Sequence, residues 1–296
     1  MAEQFARGVN GIDLCYETFG DPADAALLLV MGLSAPMIWW DEPLCEQLAA
    51  RGFHVIRFDN RDSGRSTSVG GRASVPRAYL ARQAPYSLAD LADDTAALLD
   101  RQEITSAHVV GASLGGMVGQ LLAIRHPDRV ASLISIMSTT GNRLVGWPRP
   151  AALGALLARE PRERAAYIEQ LVKTFRVIGS PGYPFDEERM RARAARTFDR
   201  GINPAGVARQ LAAVLATPDR TKALRSLRIP VSAIHGAEDP LIHVGAGLAT
   251  ARAVPGAELH VFHGMGHDLP EPLWTRFADV IAQTAARAAA PNEAGR

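Results

Sequence analysis

The sequence predicts an α/β protein: a mostly parallel central sheet flanked by helices, with a helical segment inserted between two of its strands. Strand and helix signals alternate over residues 1–140, helical patterns without a convincing strand fill residues 141–227, and strand signals return over residues 228–290. We therefore predict a core domain made of residues 1–140 and 228–290, interrupted by a helical cap over residues 141–227. Residues 291–296 form a polar tail that is expected to fray.

The strands are predicted from short apolar runs that end at turn residues. Ala26–Met31 is wholly apolar and stops at Gly32, as expected for a strand that is buried on both faces of a parallel sheet. The other predicted strands are Ile12–Thr18, His54–Phe58, Ala107–Val110, Leu133–Met137, Val231–His235 and Glu258–Phe262.

The helices are predicted from apolar residues at helical spacing and from capping signals. Ser87 has the position of an N-cap, and the apolar face of the helix that follows begins at Leu88. Helices are also predicted over Leu44–Arg51, Leu114–His126 and Leu273–Ala290, and seven prolines punctuate the cap segment. The apolar stripe of that segment is interpreted as packing, because helical spacing alone explains Ile168, Leu171, Val172 and Phe175.

Composition narrows the possible classes of protein. The 296 residues are 47% hydrophobic and 21% charged, which suits a globular chain with a sizeable core. A formal net charge of +1 provides no broad field for nucleic acid or for an anionic membrane. The two cysteines, Cys15 and Cys45, are expected to be reduced and packed. The first residues lack a signal-peptide pattern, and no apolar run reaches the roughly 18 residues of a membrane span. A cytoplasmic protein is therefore expected, whereas the composition does not indicate an oligomeric state.

A candidate nucleophile lies between the strand Ala107–Val110 and the helix after it. Gly111-Ala112-Ser113-Leu114-Gly115 has the form G-x-S-x-G, in which a sharp strand-to-helix turn exposes the serine hydroxyl. Small residues that merely pack a strand–helix joint are the alternative explanation, but the strand before and the helix after favour Ser113 as the nucleophile.

A serine nucleophile needs a base and a group that orients the base. His267 lies in a glycine-rich loop after the last predicted strand and is the predicted base, with His263 as its nearest rival. Asp239 follows the strand Val231–His235 and is the predicted acid, with its neighbour Glu238 as the alternative. When the nucleophile lies on such a strand-to-helix turn, the expected order along the chain is serine, then acid, then histidine, and Ser113, Asp239 and His267 have this order.

Acyl transfer builds negative charge on a carbonyl oxygen, which two backbone N–H groups usually stabilise. Leu114, directly after the nucleophile, is one predicted donor. The other is Leu33 in the loop after the strand Ala26–Met31, with Gly32 as the alternative. Trp39 and Trp147 are candidates for an apolar substrate pocket, although core packing explains either residue equally well. No metal site and no cofactor are predicted.

These motifs, in this order, make the sequence resemble the α/β-hydrolase superfamily over nearly its whole length. They are Gly32-Leu33-Ser34, the stretch from Asp59 to Ser66, the turn at Ser113, Gly236 to Asp239, and Gly264 to His267. Within the superfamily the sequence is most similar to bacterial carboxylesterases of the non-heme haloperoxidase-like group and to polyketide methylesterases of the aclacinomycin type. The resemblance implies a helical lid, no cofactor, and a structural rather than catalytic role for residues 59–66. One departure is Met31, since many relatives have a histidine there that supports the oxyanion loop.

Together these features predict a serine esterase that cleaves small to medium acyl esters through an acyl-enzyme. A polyketide methylesterase, a thioesterase, a lactonase or a perhydrolase would use the same three residues, so these reactions remain open. A non-catalytic protein that binds a small ligand is a further alternative. The expected partner is a small-molecule ester.

Overall fold

The structure, a computed structural model, describes residues 2–158 and 160–289, and its centre is one eight-stranded sheet. The strands are β1 (Gln4–Val9), β2 (Ile12–Phe19), β3 (Ala25–Val30), β4 (Phe53–Phe58), β5 (Ala107–Ala112), β6 (Val130–Ile136), β7 (Val231–Gly236) and β8 (Glu258–Phe262). Their order across the sheet is β1-β2-β4-β3-β5-β6-β7-β8. Of these eight strands β2 alone runs in the opposite direction, so its pairings with β1 and β4 are antiparallel and the other pairings are parallel. The predicted mostly parallel sheet is therefore confirmed.

The sheet differs from the predicted strands at one edge and in the bounds of several strands; β6, for example, begins at Val130 rather than Leu133 and ends at Ile136 rather than Met137. The sequence analysis did not predict β1, because this edge strand exposes most of its side chains and has no apolar run. The predicted strand Ala107–Val110 continues through Gly111 to Ala112, since both residues still pair with β6. The nucleophile therefore follows the strand end directly.

Helices cover both faces of the sheet. Outside the cap segment they are α1 (Glu42–Ala49), α2 (Val75–Ala81), α3 (Leu88–Arg101), α4 (Leu114–Arg125), α10 (Gly245–Ala253) and α11 (Trp274–Ala289). The N-cap predicted at Ser87 is present as a capping box, in which the Ser87 and Asp90 side chains each accept the other residue's N–H. The sequence analysis did not predict α2 or α10, which are short and have few buried apolar residues.

Two apolar cores lie on opposite faces of the sheet, and β3 contributes to both. Leu28 and Val30 pack into one core, and Leu27 and Leu29 pack into the other, as the alternation of side chains along a strand requires. All four side chains are fully buried. Cys15 and Cys45 are buried free thiols.

The described residues between β6 and β7 form five helices: α5 (Pro150–Leu156), α6 (Arg164–Ile178), α7 (Glu187–Asp199), α8 (Pro204–Ala216) and α9 (Thr221–Leu224). The predicted absence of strands from 141–227 holds for the described residues of this segment. Its division from the core as a separate cap stays a prediction. The predicted frayed tail, 291–296, lies outside the described residues. None of the described helices is long and apolar enough to span a membrane.

Candidate active site

Ser113 occupies a strained turn at the carboxyl end of β5. Its backbone has φ 54° and ψ −117°, a left-handed conformation that a serine rarely adopts. A Cβ atom at Gly111 would lie 2.2 Å from the Gly115 carbonyl oxygen, and one at Gly115 would lie 2.0 Å from the Val30 carbonyl oxygen. Only glycine fits at these two positions, which explains the G-x-S-x-G spacing in physical terms.

The three residues predicted as nucleophile, base and acid are hydrogen-bonded in a row. His267 Nε2 lies 3.1 Å from Ser113 Oγ, and His267 Nδ1 lies 2.8 Å from Asp239 Oδ2. Asp239 is 2% exposed and His267 is 7% exposed. The imidazole is thus placed between the serine hydroxyl and a buried carboxylate, which is the geometry that a general base requires.

The Asp239 carboxylate is held in its charged form. Burial alone would raise its pKa, but the charge of His267 and the hydrogen bonds from His235 and His267 outweigh burial and hold the pKa of Asp239 below its usual range. Asp239 Oδ1 also accepts the N–H groups of Leu241 and Ile242 at 2.8 and 2.9 Å. An ionised carboxylate is the form that can fix the tautomer of His267.

The alternative residues occupy other positions. Glu238 Oε2 accepts the Gly264 N–H at 2.6 Å, so this carboxylate fixes the loop that carries His267. His263 is exposed, and its carbonyl accepts the Tyr183 hydroxyl. His235 is a further neighbour of Asp239: its Nε2 lies 2.7 Å from the Ile242 carbonyl oxygen and 3.5 Å from Asp239 Oδ2.

The loop after β3 lies against the nucleophile, as the oxyanion prediction requires. A Cβ atom at Gly32 would lie 3.3 Å from Ser113 Cβ and 3.8 Å from Ser113 Oγ. Among the described residues, neither the Leu33 nor the Leu114 N–H donates to a protein acceptor. No acceptor among the described residues therefore occupies either of the two predicted oxyanion donors.

Two buried amide side chains hold this loop. Asn60 Nδ2 donates to the Met31 carbonyl at 3.0 Å. Gln210, from α8, accepts the Ser34 N–H at 2.9 Å and donates to the Arg61 carbonyl at 2.8 Å. The loop is thus fixed on both sides of Leu33, with Met31 at the position where the resemblance implied a histidine.

Sequence reasoning did not identify Gln210. It lies about 180 residues from the loop along the chain and has no motif around it, so only a long-range contact could reveal it.

The loop of residues 59–66 is a structural support, as the resemblance implied. Asp59 accepts the N–H groups of Met37 and Arg65 at 2.6 and 2.8 Å. Arg61 pairs with Asp94 at 2.6 Å, and Asp62 pairs with Arg209 of α8 at 2.6 Å, both as buried ion pairs. These contacts connect the turn behind the site to a helix of the 141–227 segment.

The loop that carries His267 is held by the end of α6 and the residues after it. The His267 N–H donates to the Ile178 carbonyl at 2.7 Å, and the Gly266 N–H donates to Ser180 Oγ at 2.9 Å. A Cβ atom at Gly266 would lie 2.2 Å from the Gly179 carbonyl oxygen, so the two segments are in close backbone contact.

A cavity of about 570 Å³ opens onto Ser113 and His267. This volume is within the range of roughly 300–1,000 Å³ that is usual for small-molecule sites. Both pocket candidates line it: Trp39 is nearly buried, stacks on Phe175 and donates to Thr197, whereas Trp147 is 64% exposed at the rim. Met117 of α4 contributes to the core and also lines the cavity.

Within the described residues, no group of three or more His, Cys, Asp or Glu side chains is placed so that it could bind a metal ion.

Known proteins share this fold and this sequence pattern. The family model described as alpha/beta hydrolase fold matches residues 25–271. Rhodomycin D methylesterase DauP of Streptomyces sp. strain C5 is 32% identical over 293 residues, covering 88% of this chain and 92% of that relative. The pimeloyl-[acyl-carrier protein] methyl ester esterase of Chromobacterium violaceum is 30% identical over 259 residues, covering 86% of this chain and 91% of that relative.

Solved structures agree on the fold. The esterase RhEst1 from Rhodococcus sp. ECU1013 superposes with a TM-score of 0.72 at 23% identity, covering 97% of this chain and 99% of that one. The same fold is indicated by the order of the strands, by the turn at Ser113 and by the family match over residues 25–271. The chain belongs to the α/β hydrolase fold family.

Proposed function

We propose that the protein hydrolyses carboxylic esters through an acyl-enzyme formed on Ser113. His267 Nε2 accepts the proton of the Ser113 hydroxyl while Oγ attacks the ester carbonyl carbon. The Asp239 carboxylate orients the imidazole and stabilises its charged form. The observation that carries the proposal is the row of hydrogen bonds at 3.1 and 2.8 Å beside a cavity that admits a substrate.

The attack places negative charge on the carbonyl oxygen. In the proposal the N–H groups of Leu33 and Leu114 donate to this oxygen, an interaction worth about 2.7–4 kcal/mol per donor in comparable sites. His267 then gives its proton to the leaving alcohol and the acyl-enzyme remains. Water attacks the acyl carbon with His267 again as base, which releases the acid and restores Ser113.

The comparisons bear out the predicted class, an ester-hydrolysing enzyme of this fold. Within this class, a methyl ester of a bulky apolar acid is the second candidate substrate. Two relatives with over 85% coverage of this chain are named as methyl ester hydrolases. A cavity of about 570 Å³ with many apolar side chains in its wall also accommodates an acyl group larger than the small to medium ones first predicted.

The experiment compares p-nitrophenyl esters of two to sixteen carbons on the wild-type protein and on Ser113→Ala in parallel. We expect turnover by the wild type and a loss of about 10⁴-fold or more in the variant, because the nucleophile is removed. Activity that survives in Ser113→Ala, with both proteins folded, would contradict the proposal.

A second panel separates the candidate substrates. Methyl esters of a short acid and of a multi-ring aromatic acid are compared by acid release, together with a thioester and a lactone of matched size. The bulky methyl ester is expected to have the highest kcat/KM. A preference for the thioester or the lactone would assign the same three residues to one of the other reactions.

A further inference from the structure

Exposed apolar side chains gather at the mouth of the cavity. Ten large apolar side chains of the described residues are exposed, and seven of them belong to two short segments, 75–80 and 144–157. We call these seven the mouth rim: Val75, Tyr79, Leu80, Leu144, Trp147, Leu153 and Leu157. Leu80 and Leu144 are 80% and 84% exposed, so they project into solvent and do not line a groove.

The two segments belong to one opening. Five of the seven rim residues also line the cavity that reaches Ser113; only Leu80 and Leu144 do not. The guanidinium of Arg143 lies 4.2 Å over the ring of Tyr79 and donates to the Tyr79 carbonyl, which joins the segments directly. Clustered exposed apolar surface of this kind marks a site of interaction rather than ordinary surface.

The charge of the two segments that carry the rim has one sign. Arg72, Arg77, Arg82, Arg143 and Arg149 are exposed, and none forms an ion pair with a carboxylate of the described residues. Neither residues 63–89 nor residues 129–159 contain an aspartate or a glutamate. In α7, by contrast, Arg191 pairs with both Glu169 and Glu187. The net charge of +1 thus conceals a local cationic surface around an apolar one.

We propose that the mouth rim docks on an anionic lipid surface, with the cavity opening toward the lipid. The leucines and Trp147 would enter the headgroup region, and the arginines would bind lipid phosphates, for which the guanidinium is well shaped. Projecting leucines suit a fluid surface better than they suit the shaped pocket of a protein partner. Docking in this orientation would give an apolar ester dissolved in the lipid a short path to Ser113.

The test measures binding without turnover, using the Ser113→Ala protein. Vesicles of phosphatidylcholine, with and without phosphatidylglycerol, are mixed with the protein, and co-sedimentation and tryptophan emission are recorded. Trp147 reports on docking because Trp39, Trp40 and Trp274 are buried. We expect binding and a blue shift with the anionic vesicles alone, and both should weaken as salt is added.

Variants assign the binding to the rim. Arg77→Gln and Arg143→Gln should each weaken binding roughly fivefold, and Leu144→Ser about tenfold. Arg225→Gln and Val261→Ser change an exposed arginine and an exposed valine outside the rim, so they should leave binding unchanged. Circular dichroism checks that every variant folds.

Four outcomes would overturn the proposal: no binding to anionic vesicles at low salt, binding that the rim variants do not change, equal binding of soluble poly-glutamate, or a dimer that Leu144→Ser dissociates. Equal binding of poly-glutamate would indicate an acidic protein as partner. The dimer would show that a second copy covers the rim. None of these results bears on ester hydrolysis, because the assay contains no turnover.

Discussion

Ser113 depends on the residues that hold its backbone in a left-handed conformation. Its N–H donates to the Ile136 carbonyl at 2.9 Å, and its carbonyl accepts the Ser138 hydroxyl at 2.7 Å. The glycines two residues before and after it allow the backbone to approach β3 and α4 closely. The strain at the turn is thus maintained by neighbours on three elements, as is usual at functional sites.

Gly115→Ala tests this close approach. The new methyl group would lie 2.0 Å from the Val30 carbonyl oxygen, so we expect a loss of about 1–3 kcal/mol in the free energy of unfolding together with a lower kcat. Gly154→Ala is the matched control, because a Cβ atom there meets nothing within 4 Å. Chemical denaturation measures the free energy of unfolding of the two variants. Equal stability would show that Gly115 does not approach β3 as closely as described.

Asp239 and Glu238 are neighbours that the structure assigns to different tasks. Asp239→Asn should lower kcat by about 10⁴-fold, because the amide no longer fixes the tautomer of His267. Glu238→Gln changes a side chain that accepts the Gly264 N–H, and we expect a much smaller fall. Steady-state kinetics on a soluble ester checks this order, and a larger effect of Glu238→Gln would make Glu238 the acid.

At the scale of elements, helix α8 contacts two loops of the site: the loop after β3, which carries Leu33, and the loop of residues 59–66. Gln210 accepts the Ser34 N–H and donates to the Arg61 carbonyl, while Arg209 pairs with Asp62. The helix begins with an Asn203 cap, whose side chain accepts the Gly206 N–H. A helix of the 141–227 segment therefore takes part in shaping the loop that carries Leu33, the predicted oxyanion donor.

Gln210→Met should lower kcat by about tenfold or more and leave KM nearly unchanged. Without its acceptor the Ser34 N–H no longer fixes the loop, so the Leu33 N–H is aimed less well at the oxyanion. Gln210→Glu keeps an acceptor for Ser34 and should recover part of the loss.

The affinity for a phosphonate ester that mimics the transition state should fall in parallel with kcat. A change in stability or KM with kcat intact would show that Gln210 is only structural.

At the scale of the whole molecule, buried ion pairs connect the loop after β4 to two helices: Arg61 pairs with Asp94 of α3, and Asp62 pairs with Arg209 of α8. Burial alone would raise the pKa of Asp62, but hydrogen bonds from Arg209, Tyr86 and the Val69 N–H, with the charge of Arg209, hold it below its usual range. Because the folded pKa is lower than the unfolded one, this stabilisation is complete above the unfolded pKa, about 3.9. It is lost as the pH falls through the folded value.

Asp62→Asn should therefore be less stable than the wild type at pH 7, by about 3 kcal/mol, since it leaves the buried Arg209 charge without its partner. The difference should begin to shrink as the pH falls below about 4, where the carboxyl group of the unfolded chain takes up a proton, and should shrink further as the pH falls through the lower pKa of the folded protein. Denaturant unfolding across this pH range measures the effect. A difference that is independent of pH would show that the carboxylate charge contributes nothing.

The sequence alone determined the features that depend on local chemistry. Buried strands such as β3 are recognisable as apolar runs, and the Ser87 cap and the glycines around Ser113 are visible because turn geometry restricts which residues fit. Local order also indicated Ser113, Asp239 and His267, since each follows a strand at the same edge of the sheet. The exposed edge strand β1 was missed because its pairing, rather than its composition, makes it a strand.

Only the tertiary structure decided which distant side chains meet. Gln210 holds the loop after β3, Ile178 and Ser180 hold the loop of His267, and none of these three residues belongs to a motif. Asn60 lies in the stretch from Asp59 to Ser66, but its contact with the Met31 carbonyl could not be predicted from that stretch. The gathering of exposed leucines and unpaired arginines around one opening was likewise hidden in a near-neutral sequence. A single hydrogen bond or a surface patch depends on where remote segments pack, and this follows from the whole folded chain rather than from local spacing.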